Sequence, residues 1–335
     1  MAIAPTTVAS GVRSWAGRKV LVTGGAGFLG SNVVRAAANA GAEVIAVDNF
    51  IAEGGANPAN LEGSGARLIE ADIADNATIR PLLGDRDVVF NLAGRTGHLD
   101  SMTDPMGDLA ANAESQLAFL ESCRAANPKL RIVFTSTRQV YGRPQRLPVD
   151  EAHPLEPPDI NAVHKIAAEQ YHLLYHRVHG LKSVALRLTN CFGPGMRVKD
   201  ARQTFVGVWI RRALEGGTVE VWGGEQRRDL LFAPDCAAAM MTAADCDAAM
   251  GRVFNIAGSS PLPLSELATI VVAAAGGGRI ERREFPAERK AIDIGDFLLD
   301  DHPFRALTGW APSVPLKDAL ERTIAYYRDR LPKYL

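Results

Sequence analysis

The chain has little cysteine, no surplus of charge of either sign and no long apolar run. Its four cysteines, at 123, 191, 236 and 246, form no CxxC pair and have no histidine at ligand spacing. That excludes a disulfide scaffold, leaves no metal site to expect, and implies reduced thiols in a cytoplasmic setting. Lysine and arginine number 37 against 38 acids, a net charge of −1, which argues against nucleic acid or an anionic membrane as a dominant partner. No apolar stretch approaches the roughly 20 residues that a spanning helix requires. The first 14 residues lack a charged start followed by an apolar core. Residues 1–15 therefore read as a flexible tail rather than a secretion signal. At 335 residues, 47% hydrophobic and 22% charged, what remains is an ordinary globular composition with room for two linked lobes.

What is present is organised around residues 19–48. Residues 20–23 (Val-Leu-Val-Thr) form a buried-strand signal, glycines follow at 24, 27 and 30, and residues 31–40 carry a helical pattern. A second apolar run, 43–47, ends in Asp48, 18 residues after Gly30. In such a turn Gly24 supplies the backbone angles, Gly27 lets the main chain approach a pyrophosphate, and Gly30 lets the helix sit close on the strand. The helix N-terminus then offers N–H groups and a partial positive charge to the phosphates. Asp48 stands where an acid takes the adenosine ribose hydroxyls. Neither Asn49 nor Phe50 supplies a cation for a 2′-phosphate, so NAD is expected over NADP.

Further strand signals lie at 68–72, ending in Asp72, at 87–91 running into Leu92-Ala93-Gly94, at 131–135 breaking at Ser136-Thr137, and at 183–188 leading to Thr189-Asn190. They alternate with helical patterns at 108–126 and 161–178. This alternation predicts an α/β, Rossmann-type doubly wound parallel sheet over residues 16–192, with its ligands beyond the carboxyl ends of the strands. After residue 192 the pattern changes to helices at 205–215, 265–275 and 316–327 and a strand at 219–222. We read 193–335 as a smaller C-terminal α/β lobe that binds substrate, the chain returning to the first domain around 230–258.

With these motifs placed, the chain resembles the extended short-chain dehydrogenase/reductases of the nucleotide-sugar epimerase/dehydratase family. The resemblance runs from about residue 17 to 330. It rests on Thr23-Gly24-Gly25-Ala26-Gly27-Phe28-Leu29-Gly30, Asp72-Ile73, Asn91-Leu92-Ala93-Gly94, Thr135-Ser136-Thr137 with Val140-Tyr141-Gly142, and Lys165. Further on it includes Asn190-Cys191-Phe192-Gly193-Pro194, Arg228-Asp229 and Gly309-Trp310-Ala311-Pro312. It implies NAD contacts by Phe28 and Leu29 with the three glycines, by Asp48, Asn49 and Phe50, and by Asp72 and Ile73. Leu92, Ala93, Gly94, Asn112, Thr135, Leu188 and Lys165 complete that set. It also implies a nucleotide-sugar substrate, whose diphosphate Asn190 and Arg228 would hold, with Arg289 as a further phosphate contact. A homodimer through the helices at 108–126 and 162–178, lined by Leu109, Phe119, Ala167 and Leu174, is a further expectation.

In such enzymes NAD takes a hydride from a sugar carbon, a Tyr takes the hydroxyl proton, and a Ser or Thr shares that hydrogen bond. A Lys four residues after the Tyr binds the nicotinamide ribose and lowers the Tyr pKa. Thr137 and Lys165 match. The Tyr position holds Asn161, whose amide can orient a hydroxyl but has no proton to exchange near neutral pH. Three explanations stay open. His98, Asp100, His164 or Tyr141 takes the proton, with His98 in the best position; water or the substrate's own phosphate relays it; or the site only binds. Gln139 stands where dehydratases of the family carry an acid, which favours epimerisation over elimination.

Overall fold

Residues 14–51, 54–202, 204–258, 261–284 and 294–335 are described in a computed structural model of the protein. Val20, Leu21 and Val22 of β1 (Lys19–Thr23) have no exposed surface. An all-apolar strand of this kind is suited to the middle of a sheet covered on both faces. Parallel to β1 run β2 (Glu43–Asp48) on one side and β4 (Val88–Asn91) on the other. β3 (Arg67–Glu70) extends one edge; β5 (Arg131–Thr137), β6 (Lys182–Leu188) and β7 (Val253–Ile256) extend the other. The resulting order is β7-β6-β5-β4-β1-β2-β3, every neighbouring pair parallel. The order reverses between β1 and β4, which opens a crevice at their carboxyl ends.

The helices depart from the sequence reading in ways that matter for the site. α1 (Phe28–Asn39) begins three residues early, so Gly30 sits inside its first turn. α2 (Asn76–Leu83), capped by the Asp75 carboxylate, links β3 to β4. The pattern at 108–126 is not one helix. α3 (His98–Thr103) is followed by α4 (Pro105–Leu109), a π-helical turn over Ala110–Glu114, and α5 (Ser115–Ala126). Asp104 caps α4 by accepting from Gly107 N at 3.0 Å, and Pro105 supplies the pre-set first helical residue. π-turns of this kind concentrate at functional sites, and this one carries Asn112. α6 (Ile160–His179) is capped by Asp159 and ends at Gly180 in the left-handed region.

After β6 the chain leaves the sheet. Helices Phe205–Leu214, Leu264–Ala275 and Leu316–Arg328 pack with the parallel pair Thr218–Trp222 and Arg279–Arg283. Between these segments the chain returns with Ala233–Asp245 and β7, the latter completing the large sheet. The helix Ala233–Asp245 escaped the sequence reading because it is alanine-rich and buried on most of its faces, so no 3.6-residue period marks it. Residues 1–13 lie outside the described ones. Trp15, read as part of the tail, is instead buried, its ring stacked on Phe90 with centroids 5.9 Å apart. Among the described residues, no helix is long and apolar enough to cross a membrane.

A buried ion pair joins β6 to α6. Arg187 donates from Nε and Nη2 to the two oxygens of Glu169 at 3.0 and 2.5 Å, and from Nη1 to the Tyr141 hydroxyl at 2.9 Å. Glu169→Ala strands the guanidinium in the core without its counter-charge, and about 3–5 kcal/mol of stability is expected to go with it. Urea unfolding of variant and wild type measures the difference; a loss under 1 kcal/mol would refute the assignment.

Candidate active site

A cavity of about 300 Å³ runs along the carboxyl ends of the strands. At one end lies the glycine turn. Gly24 has φ +65°, and a Cβ there would stand 2.8 Å from Leu92 O; one on Gly30 would fall on the carbonyl oxygen of Gly24. No side chain caps the start of α1 and no acid occupies its first turn, which leaves this N-terminus suited to a phosphate. Gly24, Gly27, Phe28, Leu29 and Gly30 all line the cavity, as do Asp48, Asn49, Asp72 and Ile73. The Asp48 carboxylate accepts from Ala26 N and Phe50 N, both at 3.1 Å, and burial pushes its pKa upward. Asn49 donates to Asp72 at 2.8 Å. Phe50 is a correction: its backbone adopts φ +49°, and its ring packs on the hydrophobic core instead of lining the cavity.

The middle of the cavity is walled by Leu92, Ala93, Gly94, Thr135, Thr137, Leu188 and Lys165. Lys165 is 8% exposed, and burial lowers its ammonium pKa to about 8, an effect that Asp108 partly opposes. Asn112 lies behind this wall, not on it. Its Oδ1 accepts from Arg95 N at 3.1 Å, and its buried Nδ2 has no partner. The buried Ser136 hydroxyl on the cavity wall likewise has none. Deeper still, Asn91 bridges Thr23, Gln116 and His172. His172 is a fully buried ring stacked on Phe134, and burial drives its pKa down to about 3. The open glycine turn, the buried acid at the end of β2 and the two orphan polar atoms, one on the cavity wall and one behind it, together fit a dinucleotide with a polar nicotinamide end.

Asn161 is 2% exposed and spoken for. Its Nδ2 donates to Arg95 O and to Asp108 Oδ2, each at 2.9 Å, and its backbone N–H donates to Ser101 at 3.2 Å. The other oxygen of Asp108 meets His164 Nδ1 at 2.8 Å. Sequence reasoning missed Asp108, because 53 residues separate it from Asn161 and only the fold brings α4 against α6. The base candidates then separate. His98 opens α3, but its side chain lies outside the described part of the structure. Asp100 pairs with Arg202 at 3.6 Å. Tyr141 is ruled out: it is fully buried, donates to Asn255 at 2.7 Å, and burial pushes its phenol up to about 12.

At the far end, Asn190 lines the cavity and accepts from Arg138 Nε and Nη2 at 3.3 and 3.2 Å. Arg138 lies over the Phe297 ring, and its Nη1 has no partner; burial and the charge of Arg228 bring its pKa to about 10. Arg228 is buried behind it, donating to the carbonyls of Arg227 and Gly295, and does not itself line the cavity. Beside it, burial pushes the Asp229 carboxyl up to about 7. Sequence reasoning did not single out Arg138. Arg289 lies outside the described residues.

A parallel sheet with an open glycine turn at a helix start, a buried acid at the end of β2 and a buried lysine on the same cavity is the arrangement of a dinucleotide-dependent enzyme. The NAD dependent epimerase/dehydratase family model matches residues 20–257. The chain is 28% identical over 316 residues to UDP-glucose 4-epimerase of Mycolicibacterium smegmatis, covering 93% of this chain and 99% of the relative. It is 31% identical over 325 residues to dTDP-glucose 4,6-dehydratase of Streptomyces niveus, covering 93% of each. The structure of Thermus thermophilus UDP-glucose 4-epimerase in complex with NAD superposes with a TM-score of 0.81 at 27% identity, covering 93% of this chain and 99% of that one. This chain belongs to the NAD dependent epimerase/dehydratase family, and its cofactor is NAD.

Proposed function

We propose that the protein is a nucleotide-sugar epimerase that oxidises a ring carbon, inverts it and re-reduces it with the same retained NAD. NAD, when bound, supplies the acceptor and later the donor of one hydride. The observation that carries the reading is a single cavity reaching from Asp48 past Lys165 and Thr137 to Asn190. Substrate and cofactor would share it with their reacting ends in contact. Gly24, Gly27, Gly30 and Asp48 hold the dinucleotide, and Lys165 orients the nicotinamide ribose. The Thr137 hydroxyl accepts from Gln139 N at 3.1 Å and so keeps its own proton to donate to the sugar oxygen. Asn190, with Arg138 and Arg228 behind it, forms the cationic end suited to a diphosphate. Gln139 donates to Asp159 at 3.2 Å and offers no carboxyl group for elimination. This favours epimerisation over dehydration.

The site is cytoplasmic in this reading, and two copies pair through α5 and α6. Leu117 on α5 and Leu174 and Val178 on α6 are exposed, as is Leu109 at the end of α4, whereas Phe119 is buried in the core and takes no part. Proton NMR of a panel of UDP-, dTDP-, GDP- and CDP-sugars in D₂O with NAD-loaded protein tests the function. New anomeric signals from one substrate are expected, their couplings naming the inverted carbon. Line broadening without product across the panel would leave a binding protein instead of an enzyme.

A further inference from the structure

Asn161 stands at the family's proton-acceptor position in this chain, and a buried carboxylate lies against its side chain. We infer that Asp108, gripped by Asn161 and His164 at the cavity wall, accepts the proton of the reacting sugar hydroxyl in place of a tyrosine. The inference rests on the reading of the site as one that oxidises a sugar alcohol.

Asp108 is 1% exposed yet lines the cavity. Asn161 and His164 stand three apart on α6, so both side chains face the same neighbour. One holds Oδ2 at 2.9 Å and the other meets Oδ1 at 2.8 Å. Each carboxylate oxygen has two lone pairs, so this grip fixes the plane of the group and leaves acceptor capacity toward the cavity. Asn161 thus acquires a positioning role that its lack of a titratable proton does not preclude. The alternatives are weaker on geometry. His164 does not line the cavity, and its Nδ1 is already turned to Asp108. Asp100 is engaged by Arg202, and Tyr141 is locked in the core.

The step balances with the family's cofactor. As the carbon gives its hydride to NAD, the O–H bond breaks, the carbonyl forms, and the proton passes to Asp108, which becomes a neutral carboxylic acid. On return of the hydride to the opposite face, Asp108 gives the proton back to the new alkoxide. With so little exposure, it keeps that proton from water between the two halves. The Oδ1 contact to His164 holds the group in place throughout.

The test uses full-length, NAD-loaded protein and the nucleotide sugar that the wild type converts. Asp108→Asn is expected to lower kcat by about 10²–10⁴-fold, as loss of a general base does, with NAD content and substrate KM within about threefold of wild type. Asp108→Asn combined with Asn161→Tyr is expected to regain at least about tenfold, since a phenol four residues before Lys165 offers a second acceptor. His164→Asn, which keeps a donor near Nδ1, is expected to retain more activity than His164→Phe at equal KM. An Asp108→Asn enzyme with wild-type kcat overturns the inference. Should that variant lose NAD, Asp108→Glu decides: kcat down about tenfold or more with NAD retained supports it, and wild-type kcat overturns it. A wild type that converts no sugar sinks the epimerase reading and this inference together; a wild type and Asp108→Asn that turn over equally fast sink this inference alone.

Discussion

Replacing Lys165 by methionine is expected to cost about 10³-fold or more in turnover while leaving the protein at least as stable. Lys165 lines the same cavity as Ser136, whose buried hydroxyl lacks a partner. No other described lysine lines that cavity. Methionine keeps the stem that packs there and removes the charge. The stability sign follows from linkage. Burial lowers the pKa from 10.5 in the unfolded chain to about 8 in the folded one. The folded state is therefore penalised fully below about pH 8, and the penalty fades as pH rises toward 10.5. Each unit of depression corresponds to about 1.4 kcal/mol. The methionine variant is expected to melt at or above the wild-type temperature at pH 7, with the gap shrinking between pH 8 and 10.5. Product formation by NMR and thermal melts at pH 7 and 10 measure both halves; full activity would sink the proposed cofactor geometry.

Gly30→Val is expected to abolish NAD retention and to cost about 3 kcal/mol or more of stability. Even one carbon at this position falls on the Gly24 carbonyl oxygen, which is main chain and cannot rotate aside. Relief requires α1 to lift off β1, and the turn proposed to cradle the pyrophosphate moves with it. The same lift displaces Gly24, where a Cβ would meet Leu92 O at 2.8 Å. The absorbance ratio of the purified protein reads bound dinucleotide directly, and urea unfolding reads the stability. A variant that carries NAD at wild-type stoichiometry would show that the helix start tolerates a branched side chain.

Gly30 was legible in the sequence because its surroundings are local, whereas Lys165 was singled out only through the resemblance to the family. A strand, three glycines, a helix and an acid lie within 30 residues, and neighbouring spacing alone specifies how they fold. The alternation that predicted the parallel sheet is local in the same sense. Asp108 is different: its partners come from α6, and its segment reads as the start of one long helix when it is the end of a short one before a π-turn. Arg138 shows a second limit. A residue type judged against a family pattern shows what is missing, whereas its contact with Asn190 depends on the way β5 and β6 end side by side. Tyr141 and Phe119 were misplaced for the opposite reason, since both have apolar bodies that fill the core. Phe50 turned inward because the backbone at that residue enters the left-handed region, which no side-chain pattern announces.

The return of the chain to the sheet through β7 splits the substrate-side lobe: residues 205–222 form an excursion anchored at both ends by β6 and β7, whereas 264–328 follow β7. β6 has β7 as its outer neighbour, paired from Ala185 to Leu188. A fragment stopped at residue 192 would keep the glycine turn and Asp48 but lose that neighbour. Val184, Ala185, Leu186 and Leu188, all buried in the intact protein, would then flank an uncovered row of strand N–H and C=O groups, a surface prone to self-association. The minimal cofactor-binding unit is consequently discontinuous. Dissecting this protein calls for a short linker across the excursion rather than a stop codon.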